Sequence, residues 1–317
     1  MKTLQLLRDW ALVLAIVAGI ISYFIYSALP LSPETHVAAG QAVAVAQPLL
    51  IFVMLFLTFC KINPHDLHLR AWHGWLLLIQ GGLFTFFGIL LMLMPHSGLR
   101  VVLEGVMILL ICPTATAAAV ITRKLDGDMS GITTYTILIN LLAALLIPAL
   151  VPFVHPNPDL GIFEAMTLIL GKVFPLLLLP LISALLVRYL FPPLHRRLEK
   201  MQELSFYLWA VSLALAIAVT TRSIVHSTVG LSTQLWLVAV SLICCAFQFT
   251  AGRKIGSKYG ATVTAGQALG QKNTVLAIWV GYTFFSPVTS VVGGFYSIWH
   301  NLVNTWQLYR HEHPKKH

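Results

Sequence analysis

The sequence predicts an all-α membrane protein with ten transmembrane helices. Of its 317 residues, 58% are hydrophobic and only 10% are charged, whereas a soluble globular domain carries about 25% charged residues. Apolar runs of about 20 residues, the length of a bilayer-spanning helix, recur along most of the chain. These observations exclude a disordered chain, a secreted disulfide scaffold and an ordinary cytosolic enzyme.

The apolar runs divide the chain into ten predicted spans. One span with its connection needs about 30 residues, so a chain of this length has no room for a soluble domain beside them. The first run is too long for the apolar part of a secretory signal, and we expect it to be a true span. The predicted spans cover residues 10–30, 36–60, 71–94, 99–121, 131–154, 163–190, 204–221, 231–249, 261–282 and 287–309.

The basic residues predict the orientation, because cytoplasmic loops are richer in lysine and arginine. Arg100 and Arg222 fall on the outer side, and Lys172 and Lys272 fall within spans. We therefore expect a multi-pass protein of the inner (plasma) membrane with both termini in the cytoplasm. The remaining basic residues all fall on the inner side: Lys2, Arg8, Lys61, Arg70, Arg123, Lys124, Arg188, Arg196, Arg197, Lys200, Arg253, Lys254, Lys258, Arg310, Lys315 and Lys316.

Nucleic acid, cofactors and metal ions are not expected as partners. No run of basic residues is interleaved with aromatic ones, so nucleic acid is not a predicted partner. The four cysteines lie in or beside apolar runs without CxxC spacing, which predicts buried reduced thiols rather than a metal site. We predict no cofactor and no metal.

Two of the spans are predicted to be broken. The fourth contains CPTATAAA at residues 112–119, and Pro113 removes a backbone hydrogen bond from the middle of the helix. The ninth contains AGQALGQKNT at residues 265–274, which is too polar and too rich in glycine to face lipid. The segment in the ninth span is therefore expected to face protein or water.

The two breaks lie about half the chain apart, each in the fourth span of a five-span half. An odd number of spans inverts the second half, so the sequence predicts two inverted repeats, residues 1–155 and 156–317. Interrupted helices at matching positions of inverted repeats are typical of secondary transporters whose site lies near the bilayer midplane.

Four short motifs carry a family resemblance. They are CPTATAAAV at residues 112–120, Gly127-Asp128, GQKNTVLA at residues 270–277 and FYSIWHNL at residues 295–302. These resemble the CPGGTASNV, GMQNSGLA and FSVWHN patterns of the bile acid:sodium symporter family, from the second span to the end of the chain. The resemblance implies a panel domain and a core domain, with helices 4 and 9 unwound and crossed in the core. It also implies organic anions, such as bile acids or pantoate, as substrates.

Members of that family bind two sodium ions, and this sequence departs from the ligand pattern. The family's Ser-Asn pair falls on Ala118 and Ala119. Its fifth-helix serine falls on Ile132, while its threonine is retained as Thr136. The family's glutamate and a neighbouring glutamine fall on Ala268 and Lys272, and Gln80 matches a further glutamine of the sodium site. A hard cation needs a full shell of oxygen ligands, so we expect a divergent, bacterial-type member that does not use sodium.

Lys272 is the most informative of these departures. A lysine at the bilayer midplane costs at least about 2.5 to 3.5 kcal/mol, so it needs a partner or a water-filled cavity. We expect its ammonium to replace the sodium ions, and protons are a further expected partner. Gln80 and Glu104 are predicted to line the pathway. The predicted substrate and crossover residues are Thr114, Thr116, Gln271, Lys272, Asn273, Thr274, His300 and Asn301.

The sequence therefore predicts a sodium-independent carrier of organic anions that works by alternating access. Two alternatives stay open. One is a metalloid or other anion permease of the same superfamily that uses Cys112, and the other is a membrane sensor that binds its substrate without transporting it. An enzyme is not expected, because no HExxH motif, Ser/His/Asp order or pair of midplane carboxylates occurs.

Overall fold

The computed structural model describes residues 10–156 and 158–313. Lys2, Arg8, Lys315 and Lys316, which contribute to the predicted orientation, lie outside the described residues. Within the described part, the chain forms fourteen α-helices, one short 3₁₀ helix and no β-strand longer than a single bridge. The helices are α1 (Ala11–Ala28), α2 (Pro33–Cys60), α3 (Ala71–Leu93), α4 (Arg100–Ile111), α5 (Ala118–Lys124), α6 (Met129–Val154), α7 (Ile162–Leu177), α8 (Leu179–Leu190), α9 (Pro192–Glu199), α10 (Gln202–Val225), α11 (Leu231–Ser257), α12 (Thr262–Gly270), α13 (Thr274–Phe284) and α14 (Val291–Glu312).

Six of these helices are long and apolar enough to cross a membrane: α1, α2, α3, α6, α10 and α11. The pair α7 and α8 adds a seventh span if the two helices are counted as one. The other predicted spans fall on two broken pairs, α4 with α5 and α12 with α13, and on α14. The chain is thus an all-α, multi-pass membrane protein, and the number of ten spans stays a prediction.

The predicted sixth span is bent rather than one continuous helix. The axes of α7 and α8 differ by 41° at the break between them, at Leu178. Pro175 and Pro180 lie on either side of this break. Proline cannot donate a backbone hydrogen bond and its ring crowds the preceding turn, so two prolines within one turn and a half account for the bend.

The helices separate into two compact units. One unit holds α1, α2 and α8 to α10, and the other holds α3 to α7 and α11 to α14. In the first unit, α1 packs against α10 through Ala15, Leu213 and Ile217. A Cβ at Gly19 would lie 2.5 Å from the carbonyl oxygen of Ala214, so the absence of a side chain there allows the two helices to meet.

In the second unit, α11 and α12 form the tightest helix pair. A Cβ at Gly252 would overlap the carbonyl oxygen of Ala265, and a Cβ at Gly256 would overlap that of Ala261. Two glycines spaced one turn apart therefore let the backbones of the two helices come into direct contact. This contact positions α12, whose C-terminal end forms half of the site described below.

Candidate functional site

The two broken helices of the second unit meet at their breaks. The fourth span is interrupted between α4 and α5, and the ninth between α12 and α13. Thr114 and Lys272 pair there as an antiparallel bridge. The backbone N–H of Ala115 donates to the carbonyl of Gln271 at 2.8 Å, and that of Asn273 donates to the carbonyl of Pro113 at 2.9 Å. The two unwound segments thus satisfy part of each other's backbone hydrogen bonding, which a membrane interior requires.

A glutamine and a tyrosine bind the end of α4. Gln80 donates its Nε2 to the carbonyl of Cys112 at 2.9 Å, and the hydroxyl of Tyr135 donates to Gln80 Oε1 at 2.7 Å. A second glutamine, Gln248, donates to the carbonyl of Leu109 at 3.4 Å. The last carbonyls of a helix have no partner within the helix, so these side chains supply the donors that α4 lacks after its break.

The end of α12 is bound in a similar way. The hydroxyl of Tyr296 donates to the carbonyl of Gly270 at 2.7 Å, and Gln248 Nε2 lies 3.2 Å from that hydroxyl. The Thr114 hydroxyl donates to the carbonyl of Ala268 at 2.7 Å. In broken membrane helices, unwound carbonyls and half-helix C-terminal ends can coordinate a cation. Here those carbonyls are bound by uncharged donors of the protein itself.

The positions that match sodium ligands in the family pattern lie in an apolar environment. Ala118, Ile132 and Ala268 are fully buried in one hydrophobic cluster, and Ala119 packs against it. The cluster also contains Trp72, Leu76, Tyr135, Ile139, Ala261, Ala265 and Leu269. The hydroxyl of Thr136 donates to the carbonyl of Ile132 in its own helix at 2.9 Å. These side chains offer methyl groups where a hard cation needs oxygen.

Lys272 lies at the bridge between the two breaks and is 1% exposed. Its backbone N–H donates to His300 Nδ1 at 3.3 Å. Its Nζ has no hydrogen-bond partner among the described residues, and it forms no salt bridge with any carboxylate in that part of the chain. The titratable side chains that interact with it electrostatically are Cys112 and Cys244. Leaving a buried polar nitrogen without a hydrogen-bond partner costs free energy.

The family model of the sodium bile acid symporter family matches residues 48–228, which is more than half of the chain. The chain belongs to the sodium bile acid symporter family. No curated protein matches the chain. The family is one of membrane transporters of the bile acid or anion type, not of enzymes. The match ends before α11, so the break that carries Lys272 lies beyond it.

The remaining predicted site residues of this symporter-family member fall in several environments. Asn273 caps α13 by accepting a hydrogen bond from the N–H of Leu276 at 3.2 Å. Thr274 is buried at the first position of α13, while Thr116 is only half-buried. Gln271 is buried, and its Oε1 has no partner in the described part of the chain. The segment between α4 and α5 is therefore more exposed at Thr116 than the segment between α12 and α13 is at Lys272.

Two predicted residues lie away from the crossing. Asn301 donates its side-chain amide to the carbonyl of Ser297, within α14, at 2.7 Å. Glu104 is buried near the start of α4, where it pairs with Arg100 at 3.0 Å and accepts a hydrogen bond from Thr289 at 3.1 Å. His155 Nε2 lies 3.6 Å from the same carboxylate, which therefore already has three partners.

Sequence reasoning missed Tyr135, Tyr296 and Gln248. Each is buried in an apolar span. A buried phenol or amide needs a hydrogen-bond partner, which is a signal of structural importance that could have singled them out. The sequence cannot show, however, that the partners are carbonyls of the broken helices.

Cys112 has a structural role in this geometry. Its thiol donates to the carbonyl of Asn273 across the two breaks. No group of three His, Cys, Asp or Glu side chains among the described residues is arranged to hold a metal ion.

Removing the hydroxyl group of Tyr135 tests the importance of the hydrogen bonds at the end of α4. We expect Tyr135→Phe to lower the free energy of unfolding by about 1 to 3 kcal/mol, because it leaves the buried Oε1 of Gln80 without its donor. Thermal unfolding in detergent checks this. Tyr207→Phe, at an exposed tyrosine of α10, is the matched control. Equal melting temperatures for the two variants would contradict the assigned role.

Proposed function

We propose that this family member is a sodium-independent carrier of organic anions, in which Lys272 takes the place of the sodium ions. The observation that carries the proposal is the buried side-chain nitrogen of Lys272, which has no partner within the described chain. It lies between two broken helices whose terminal carbonyls are bound by protein donors. Such a nitrogen supplies the positive charge that a cation would otherwise bring to the site.

Sodium independence has two separate supports. The side chains at the aligned ligand positions Ala118, Ala119, Ile132 and Ala268 are apolar and packed together. In addition, the carbonyls of Cys112, Ala268 and Gly270 are engaged by Gln80, Thr114 and Tyr296. A sodium ion would have to displace these donors and would gain no charged ligand in return.

An anionic substrate is the best partner for Lys272. A charge within a membrane protein tends to pair with an opposite charge, because the unpaired state is poorly solvated. The substrate class is that of bile acids or small carboxylates. Thr116 lies half-buried on the adjoining segment and is the side chain best placed to give the substrate a hydrogen bond.

The larger architecture is part of the same proposal. We take residues 1–155 and 156–317 as two inverted repeats of five spans, the unit with α1, α2 and α8 to α10 as the panel domain, and the other unit as the core. The separation into two compact units, one of which contains both broken helices, supports this assignment. We also propose that the protein works by alternating access in the inner membrane and that both chain termini lie in the cytoplasm.

Transport in proteoliposomes tests the sodium dependence. Uptake of radiolabelled taurocholate and pantoate is measured with equal concentrations of sodium chloride or choline chloride outside. We expect equal initial rates in the two salts, because the site lacks the oxygen ligands that sodium requires. A strict requirement for sodium would contradict the proposal.

The same vesicles separate a carrier from a sensor. Vesicles loaded with unlabelled anion should accumulate the labelled anion by counterflow if the protein is a carrier. Binding of the label without counterflow would favour the sensor. Empty liposomes and the Lys272→Met variant are the controls for leakage and for the site.

A further inference from the structure

A line of buried polar side chains leads away from Lys272 between α12 and α14. Gln267 lies in α12, and Gln271 follows the last residue of that helix. On α14, His300, Asn304 and Gln307 follow each other at spacings of four and three residues, so they lie on one face of the helix. Gln267 joins the two rows, because its Nε2 donates to Asn304 Oδ1 and to Gln307 Oε1 at 3.1 Å each. We call Gln267, Gln271, Lys272, His300, Asn304 and Gln307 the polar seam.

The seam is buried along its length. Exposure is 0% at Gln267, 1% at Lys272 and 9% at Gln307, where the seam comes nearest to the surface. Around it, α12 and α14 also contribute apolar residues to the hydrophobic clusters of the unit. Polar side chains buried in such an interior need hydrogen-bond partners for their atoms.

Several of those atoms have no partner within the described chain. They are Lys272 Nζ, Gln271 Oε1, Gln267 Oε1 and Asn304 Nδ2. Leaving one buried polar group unsatisfied costs about 1 to 3 kcal/mol, so four on one line point to a further occupant. Both donors and acceptors are represented, and an occupant that serves both must itself donate and accept. Water does so, and buried waters typically make about three hydrogen bonds to such groups.

The line also has a direction. It begins at the break between α12 and α13 and runs toward the C-terminal end of α14. One turn beyond Gln307 are Arg310 and His311, and His311 pairs with Asp126 at 3.1 Å. Arg310 belongs to the basic residues that predict the cytoplasmic side of the protein.

We propose that the polar seam holds a file of ordered water that connects Lys272 with the cytoplasmic end of the core. Through this file, the Lys272 ammonium exchanges its proton with the cytoplasm: the N–H bond breaks toward an adjoining water, and the electron pair stays on nitrogen. In the described chain, the titratable side chains beside Lys272 include those of Cys112 at the end of α4, Cys244 of α11 and His300 of α14.

His300 has a defined orientation in this arrangement. Its Nδ1 accepts a hydrogen bond from the Lys272 backbone, so in the neutral ring the proton is on Nε2, which remains a donor. The coupling of protons to anion transport rests on the proposed role of Lys272 in anion binding. The water file itself rests on the seam alone.

Water-edited solid-state NMR of the full chain in bilayers tests the proposal directly. Lysine side chains are labelled with ¹⁵N at Nζ, and the Lys272 signal is assigned by its loss in Lys272→Met. Polarisation from water should reach Lys272 at a rate comparable to that of the exposed Lys254. We expect Asn304→Leu and Gln267→Leu each to slow this transfer severalfold, because an apolar side chain interrupts the file.

Thr305→Val is the matched control, since Thr305 is an exposed residue of α14 whose hydroxyl bonds within its own helix. It should leave the transfer rate unchanged. Absence of water transfer to Lys272 in the unmodified protein would overturn the proposal even if both leucine variants failed to fold. Unchanged transfer in folded leucine variants would overturn it as well.

Failure of the water file and failure of the proposed function give different results. If taurocholate or pantoate binding depends on Lys272 while no water reaches its Nζ, only the water file is excluded. If water reaches Nζ and anion binding is unaffected by Lys272→Met, the role of Lys272 in anion binding is wrong while the file stands.

Discussion

Lys272→Met is expected to abolish high-affinity anion binding while the protein stays folded. Methionine has a similar length and fills the same buried space, so packing at the crossing should be kept. Replacing a buried, unpaired ion with an apolar side chain of similar volume is often neutral or stabilising. The melting temperature of the empty protein should therefore stay the same or rise.

The loss of binding should be large. Removing one partner of a buried charge pair costs about 2 to 5 kcal/mol, which corresponds to roughly 30-fold to several thousandfold in Kd. Equilibrium binding of taurocholate and pantoate, measured beside thermal unfolding, checks both expectations. Lys254→Met, at an exposed lysine of α11, should change neither quantity. Unchanged affinity in Lys272→Met would contradict the assigned role, and so would a sharp drop in melting temperature.

Lys272→Gln restores the residue of the family pattern and makes a second test of the same site. We expect it to lose anion binding in the same way without acquiring a response to sodium. Ala118, Ala119, Ile132 and Ala268 would still present methyl groups, and a single amide cannot complete a cation shell. A sodium-dependent rise in melting temperature would show that the carbonyls of the break are still available to a cation.

Gly252→Ala is expected to be strongly destabilising although it adds only one methyl group. The new Cβ would overlap the carbonyl oxygen of Ala265, a backbone atom that cannot rotate away. Overpacking of this kind typically costs about 1 to 3 kcal/mol, and moving α12 would also disturb the end of the helix that carries Gly270 and Lys272. Thermal unfolding and the yield of monodisperse protein in detergent measure the effect.

Gly82→Ala is the matched control for this prediction. Gly82 lies inside α3, and nothing lies within 4 Å of the position of its Cβ. Alanine is the better helix former by roughly 0.5 to 1 kcal/mol, so this variant should be as stable as the unmodified protein or more so. The same substitution therefore has opposite expected signs at the two sites, and a destabilised Gly82→Ala beside a stable Gly252→Ala would refute the packing argument.

Much of the fold could be predicted because its signals are local. Hydropathy indicated most of the long helices, and the structure confirms an all-α membrane protein with at least six apolar spans. Pro113 and the polar run around Lys272 predicted breaks, and helices end at both positions. The bend at Leu178 was missed although Pro175 and Pro180 are plain in the sequence. Two prolines in an apolar run are compatible with a mild kink as well as with a 41° bend, and only packing decides between them.

The candidate site was predicted in part. The sequence placed Lys272 inside the ninth span, and the structure gives its side chain an exposure of 1%. It did not indicate that Nζ lacks a partner in the described chain, nor that Asn301 would bond within its own helix while His300 reaches the Lys272 backbone. The side chains of adjacent residues on a helix point in directions about 100° apart. Adjacent residues of one motif can therefore contact different parts of the protein.

The sequence by itself determined the membrane environment, the helical class and the two breaks. Those properties belong to single segments, because hydropathy, proline chemistry and side-chain type act where the residue stands. Only the tertiary structure decided which groups bind the broken ends. The bond from Thr114 to Ala268 joins residues 154 positions apart, and that from Tyr135 to Gln80 joins residues 55 apart. Such partners depend on how whole helices pack against one another. Because each buried carbonyl needs a hydrogen-bond donor, only packings that supply one are stable, and the sequence alone does not show which packing that is.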